Sequence, residues 1–296
     1  MTFLTGLAEQ LLNGLRTGSI YALIALGYTM VYGIAKMINF AHGDIIMVGA
    51  YLLYIFGAGI LGLPVWLTII LSILACAALG ICTEKIAYKP LRNAPPLAVL
   101  ITAIGVSYFL QNFMQIVMGA TPIPFASVIS LPGVQLGSIH VSGITLVTLG
   151  VTIVCMVALL LFISKTKTGA AMRAVSEDRG AAELMGINAN RTISLTFAIG
   201  SALAAVAGLL FICQYQSLQP TLGALPGIKA FVAAVLGGIG SIPGAILGGI
   251  ILGLIESLAK AYISTQLADA ISFSALVLVL LLRPAGIMGK IKNEKV

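Results

Sequence analysis

The sequence predicts an all-α polytopic membrane protein with about eight to nine membrane segments, one of them a broken, glycine-rich helical hairpin. Three observations predict it. Of 296 residues, 59% are hydrophobic and only 8% are charged, whereas soluble domains carry roughly 25% charged residues. Apolar runs recur at or near the length that crosses ~30 Å of hydrocarbon. Lys and Arg are concentrated in alternate connections between those runs, the pattern expected of cytoplasmic loops.

The runs cover about 11–34, 42–60, 64–83, 97–118, 143–163 and 192–213, followed by an unusual region at 226–258 and a last run at 271–288. The first begins after Glu9 with neither a basic n-region nor a cleavage site, so it reads as a retained helix. One face receives Lys36, Lys85, Lys89, Arg92, Lys165, Lys167, Arg173, Arg179, Arg191, Arg283, Lys290, Lys292 and Lys295. The other three basic residues are Arg16, Lys229 and Lys260. The bias places the N-terminus outside and the C-terminus in the cytoplasm. A net charge of +7 gathered at one membrane face suits anionic lipid and insertion, and excludes nucleic acid as a partner. The chain reads as one transmembrane domain over 1–296, with a large cytoplasmic loop at about 164–191.

Between the first two spans, "KMINFAHGD" gathers Asn39, His42 and Asp44 around Gly43. Asn39 or His42 suits the N-cap of the next helix and Asp44 its first turn; a gate or a contact with a cytoplasmic partner is the alternative. Gln111 and Asn112 sit inside the fourth span, where they either bond neighbouring helices or line a polar path. The outer loop at 119–142 holds three prolines, no charge and an exposed His140. It either packs over the membrane domain or receives a soluble partner.

In the region 226–258, two apolar arms, about 227–236 and 245–257, flank "GGIGSIPG". Each arm is too short to span alone, and such interrupted pairs point to transport sites. Gly237 and Gly238 open the turn; Gly240, Gly244 and Gly248 recur every four residues, as do Gly249 and Gly253, which permits close helix packing. Pro243 fixes a turn or kink. The hairpin either only packs tightly or also lines the path. Lys229 either snorkels to the surface or attracts a carboxylate-bearing solute at an outward mouth. Glu256 and Lys260 are spaced to pair on one helical face, and Asp269 lies outside.

Enzyme chemistry has little support. The residues form no nucleophile–base–acid set. Cys76, Cys82, Cys155 and Cys213 lie in or beside apolar runs without a C-x-x-C pair, and His42 and His140 fall on opposite sides, so no metal site is expected. The glycine cluster lacks the Lys of a phosphate-binding loop, so any ATP must bind another chain. Acidic residues fall at the faces and not at span centres, which weakens a carboxylate proton relay. An ion-coupled carrier using backbone carbonyls stays open.

The loop sequence "AVSEDRGAAELMGINANR" concentrates charge in a chain that otherwise has little. Ser176 suits an N-cap, Glu177 and Asp178 the first turn, and Gly186 the stop of a short helix over 177–185. Such a helix is marginal alone and needs a surface on which to dock.

Four stretches in order, "GYTMVYGIAKMINFAHGD", "AAELMGINANRTISLTF", "AAVLGGIGSIPGAILGG" and "LRPAGIMG", resemble the permease subunits of bacterial high-affinity branched-chain amino-acid ABC importers. Related urea and short-chain amide importer permeases share much of this pattern. Ala181, Ala182 and Gly186 match the spacing of the coupling-loop pattern, with Gly180 where Glu would stand. The resemblance implies an inner-membrane importer made with a second, homologous permease subunit, two ATP-binding subunits and a periplasmic substrate-binding protein. It implies no cofactor on this chain, with ATP and magnesium on the partner ATPases. Glu177, Arg179, Ala181, Ala182, Glu183 and Gly186 would then meet an ATPase, while Asn39, His42, Gln111, Asn112 and Lys229 are candidates for the path or a gate.

Overall fold

The computed structural model describes residues 3–129, 131–136 and 139–289. Lys290, Lys292, Glu294 and Lys295, which the sequence assigns to the basic face, lie outside the described residues.

The chain is an all-α polytopic membrane protein. Its helices are α1 (Phe3–Ala35), α2 (His42–Tyr54), α3 (Val65–Thr83), α4 (Pro96–Met118), α5 (Gly143–Lys165), α6 (Lys167–Glu177), α7 (Arg179–Leu184), α8 (Ala189–Tyr215), α9 (Ala224–Gly237), α10 (Ile242–Tyr262) and α11 (Ala268–Leu282). Helices α1, α3, α4, α5, α8 and α10 are long and apolar enough to cross a membrane, and α2, α9 and α11 are shorter apolar helices. Side-chain caps fix several starts: Ser142 accepts from Thr145 N–H, Thr166 from Gly169 N–H, Asn188 from Arg191 N–H and Ser241 from Gly244 N–H. Helices α1 and α8 are mostly buried and form the centre, whereas α3, α4 and α5 leave most of their apolar surface uncovered.

The loop between α4 and α5 carries strands β1 (Ile123–Pro124), β2 (Val134–Leu136) and β3 (Ile139–Val141). β2 pairs antiparallel with β3, and β1 pairs with β4 (Ser217–Leu218) beyond α8. Phe125 and Val141 are buried, so this loop packs on its own chain.

Two expectations for the hairpin change. The second arm is not short: α10 runs 21 residues, enough to span, while α9 is a 14-residue half-helix. Pro243 does not kink it; it sits in the first turn of α10, where its missing N–H has no intrahelical acceptor to lose. The turn itself uses Gly238 at φ +105° and Gly240 at φ +94°, conformations that side chains disfavour.

The glycine series divides between two neighbours. A Cβ on Gly248 would lie 2.0 Å from the Ala233 carbonyl of α9, and one on Gly244 2.4 Å from that of Gly237. A Cβ on Gly249 would lie 2.5 Å from Ala22 N of α1, and one on Gly253 2.2 Å from Gly18 N. Thus α10 presses bare backbone against α9 on one side and α1 on the other. Gly14 and Gly18, four apart on α1, complete the second contact and were readable as a small-xxx-small pair.

Two half-helices begin inside the bundle. His42, the first residue of α2, lies against Gly27 of α1, which in turn contacts Gly200 near the middle of α8. The first turn of α2 meets the start of α9 backbone to backbone: a Cβ on Gly223 would fall 1.8 Å from the Gly43 carbonyl, and one on Gly227 2.8 Å from the Gly43 Cα.

Gly253→Val is expected to destabilise the folded protein by at least about 3 kcal/mol, the upper range for overpacking, because backbone rather than a pliable side chain blocks the new atoms. Gly150→Ala, with nothing within 4 Å of the added Cβ, is the control expected to be silent. Thermal unfolding of the two purified variants measures the difference.

Candidate functional site

Residues 36–44 turn back into the bundle instead of remaining at its end. Lys36 adopts φ +56°, which reverses the chain after α1. Asn39 does not cap α2 with its side chain, nor does His42; the N-cap position is Ala41 and has no side-chain hydrogen bond. The Asn39 side chain instead accepts a 2.7 Å hydrogen bond from Tyr88, whose ring leans on Phe197. His42 is buried, with its ring edge-on to Tyr28 at 4.7 Å between centroids. Asn39 Nδ2 and His42 Nε2 have no hydrogen-bond partner among the described residues.

Asp44 lies in the first turn of α2, as expected, where the helix N-terminus favours a carboxylate. It is only 2% exposed and accepts a 2.8 Å hydrogen bond from Gln111 Nε2, which also approaches Ser107 Oγ at 3.3 Å. The sequence assigned Asp44 to the cytoplasmic face; its contacts put it inside the bundle. Gln111 and Asn112 therefore separate. Gln111 points to α2, whereas Asn112 is exposed and donates to the Tyr108 carbonyl of its own helix.

Lys229 neither snorkels nor stands free at a mouth. It is buried and pairs with Glu256 at 2.9 Å and Asp269 at 2.6 Å. Lys260 pairs with Glu256 at 2.5 Å, the expected spacing of four, and Tyr21 donates to the same carboxylate at 2.8 Å. Two cations, two carboxylates and a phenol thus join α1, α9, α10 and α11. Glu256 is as buried as Asp44 but is fully paired. A second charged cluster, near the start of α8, joins Glu84 to Arg92 and to Ser194, with Arg92 also reaching Asn190.

The glycine turn is closed by the segment after α11. Ile287 N–H donates to the Leu236 carbonyl and Met288 N–H to that of Gly237, both at 2.9 Å, which satisfies carbonyls left open at the end of α9. Gly286, at φ +79°, touches Gly238. This turn, the end of α1, α5 and α6 line a cavity of about 490 Å³ that includes Gly33, Lys36, Arg173, Glu177, Gly240 and Pro243.

The segment expected to form one helix over 177–185 is two. Ser176 belongs to the last turn of α6 and donates to the Arg173 carbonyl. Asp178 is the cap: its extended backbone breaks the helix, and its side chain accepts from Ala181 N–H at 3.0 Å. The stop is at Gly186, φ +82°. There Gly186 N–H bonds the Glu183 carbonyl and Ile187 N–H that of Ala182, a Schellman pairing. Ala182 is buried against the bundle, and Arg179 pairs with Glu183 at 3.1 Å on the outer surface. Leu184 and Met185 are 90% and 83% exposed. A short helix is thus held rigidly from below, with two large apolar side chains raised above charged neighbours.

No cluster of three or more His, Cys, Asp and Glu side chains suited to a metal occurs among the described residues. Lys229→Met is expected to destabilise the protein by less than the ~3–5 kcal/mol of a buried charge left wholly unpaired, because Glu256 keeps Lys260 and Tyr21 and only the half-exposed Asp269 loses its cation. The double change Lys229→Met/Glu256→Gln should recover part of that loss, measured as thermal unfolding in a double-mutant cycle.

Residues 10–282 match the family described as branched-chain amino acid transport system / permease component. The chain is 45% identical over 300 residues to the high-affinity branched-chain amino acid transport system permease protein LivH of Salmonella typhimurium, covering 97% of each chain. It is 45% identical over 301 residues to the corresponding protein BraD of Pseudomonas aeruginosa, again over 97% of each. It is 30% identical over 285 residues to a probable branched-chain amino acid transport permease protein LivH of Methanocaldococcus jannaschii, covering 92% of this chain and 89% of that one. The chain belongs to the family of branched-chain amino acid transport system permease components.

Proposed function

We propose that this protein is the integral-membrane permease subunit of an ATP-driven importer of leucine, isoleucine and valine. The observation that carries the reading is identity of 45% to two branched-chain amino acid permeases along 97% of the chain. The polytopic fold and the family membership agree with a transport component that itself performs no catalysis. ATP and magnesium then belong to two separate ATP-binding subunits, and a second permease and a periplasmic substrate-binding protein complete the complex. No nucleic acid is involved.

The membrane is the bacterial inner membrane, and α6 and α7 lie on its cytoplasmic side. Lys36, Lys85, Lys89, Arg92, Arg173, Arg179 and Arg191 are all near that end of the bundle, which supports the assignment. The N-terminus is then outside and the C-terminus inside. The region 164–191 acts as the coupling loop. Leu184 and Met185 offer α7 an apolar anchor on an ATPase, with Arg179, Glu183 and Glu177 at its charged margin. Ala181, Ala182 and Gly186 hold the shape. ATP-driven closure of the ATPases would move α7 and α6 as a rigid pair, and the cavity beneath α6 would relay that motion to α1 and the Gly237–Gly248 turn. Asn39, His42, Gln111 and Asn112 serve the path or its gate.

Cells supplied with this permease and its partner subunits should take up radiolabelled leucine in an ATP-dependent manner, with unlabelled isoleucine and valine competing and urea not. Competition by urea but not by isoleucine or valine would reverse the solute assignment. Leu184→Asp/Met185→Asp should leave the permease folded but lower ATPase co-purification and uptake together. Uptake at the parental rate by that variant would remove α7 from the coupling.

A further inference from the structure

Asp44 has a property that Glu256 and Glu84 lack. Among the described residues, Glu256 pairs with Lys229 and Lys260, and Glu84 with Arg92, while no ion pair includes Asp44. A carboxylate inside a membrane bundle is costly to keep and ordinarily has a paired cation. What holds Asp44 is neutral: the Gln111 amide, the Ser107 hydroxyl and the positive end of the α2 dipole. These groups stabilise a negative charge without neutralising it, which makes the site a receptor for a cation rather than a completed ion pair.

Its placement also fits. α2 starts within the bundle, so Asp44 lies between the two faces and not at either of them. Gln111 is only half-buried and belongs to α4, whose outer flank is largely uncovered. The Asn112 amide lies exposed on that flank, with its side-chain hydrogen bond turned back to its own helix. A polar series therefore runs from the uncovered side of α4, through Gln111, to Asp44. Hydrocarbon alone is a poor cover for such a flank.

We propose that Asp44, presented by Gln111, is a station for the α-ammonium group of the zwitterionic solute as it crosses the membrane. This rests on the amino-acid import reading above and adds to it a residue and a charge. The interaction is a transient salt bridge to a primary ammonium, with Gln111 holding the carboxylate in place when the solute has passed. No covalent step is involved.

The test uses the complete importer and compares the parent, Asp44→Asn and Asp44→Glu for ATP-dependent leucine uptake and for recovery of the assembled complex. Asp44→Asn keeps the shape and the bond to Gln111 but removes the charge. It should assemble normally and lower the maximal uptake rate roughly 30-fold or more, the scale of losing one buried charge partner. The leucine concentration giving half-maximal uptake should stay unchanged, and Asp44→Glu should restore a substantial part of the rate. Parental uptake by Asp44→Asn would overturn the proposal while leaving the import function intact. Equal loss in Asp44→Asn and Asp44→Glu would also overturn it, by making Asp44 a packing residue. If the parent itself fails to import leucine, the function reading fails and this inference with it.

Discussion

The fold depends on helices that approach until their backbones touch. In hydrocarbon, apolar side chains gain little by leaving lipid for another helix, so association relies on close packing and on polar contacts. Helix α10 achieves this twice, with Gly244 and Gly248 against α9 and with Gly249 and Gly253 against α1. A one-carbon side chain at Gly253 would overlap the α1 backbone. The same device recurs where Gly43 of α2 meets Gly223 and Gly227 of α9.

That last contact explains why irregular backbone can lie deep in the bundle. Residues 36–41 and the turn before α9 carry peptide groups that lipid cannot satisfy, and such segments survive only when protein encloses them. Glycine packing encloses them here, and the segment after α11 closes the remaining gap at the end of α9 through Ile287 and Met288. The interior therefore contains helix starts, a buried carboxylate and amide and imidazole nitrogens without a partner among the described residues, groups that an uninterrupted bundle would exclude. A transport path needs such groups. The packing that stabilises the fold is thus also what lets polar chemistry reach its centre.

Much of this was legible in the residues. Hydropathy gave five of the six long helices but read α10 as a short arm and α2 as a full span, and charge bias gave the basic loops. Gly186 marked the stop of α7 because few other residues adopt its positive φ. The failures have physical causes. Asn39 looked like a cap by type, but its partner, Tyr88, is distant in sequence. Lys229 looked like a snorkelling side chain because its partners, Glu256 and Asp269, come from other helices. Asp178 displaced Ser176 as the cap because a carboxylate there reaches Ala181 N–H while Ser176 still completes α6. Most consequential was depth. Hydropathy reports where an apolar run begins, not how far the chain has already re-entered, so Asp44 read as a surface residue. That Gln111 turns to Asp44 while Asn112 turns outward also depends on helix rotation, which adjacent positions in sequence do not reveal.

Helices α2 and α9 begin within the bundle and meet there through Gly43 and Gly223, and this meeting point is expected to lie within the membrane. Electron cryo-microscopy of the complete importer in a lipid nanodisc tests it most directly, because lipid density and the helix starts are seen in one map. The Gly43–Gly223 contact is expected near the middle of the hydrocarbon layer, enclosed by α1 and α8. Placement of residues 36–44 at headgroup level, with α2 crossing the full layer from its first turn, would contradict it.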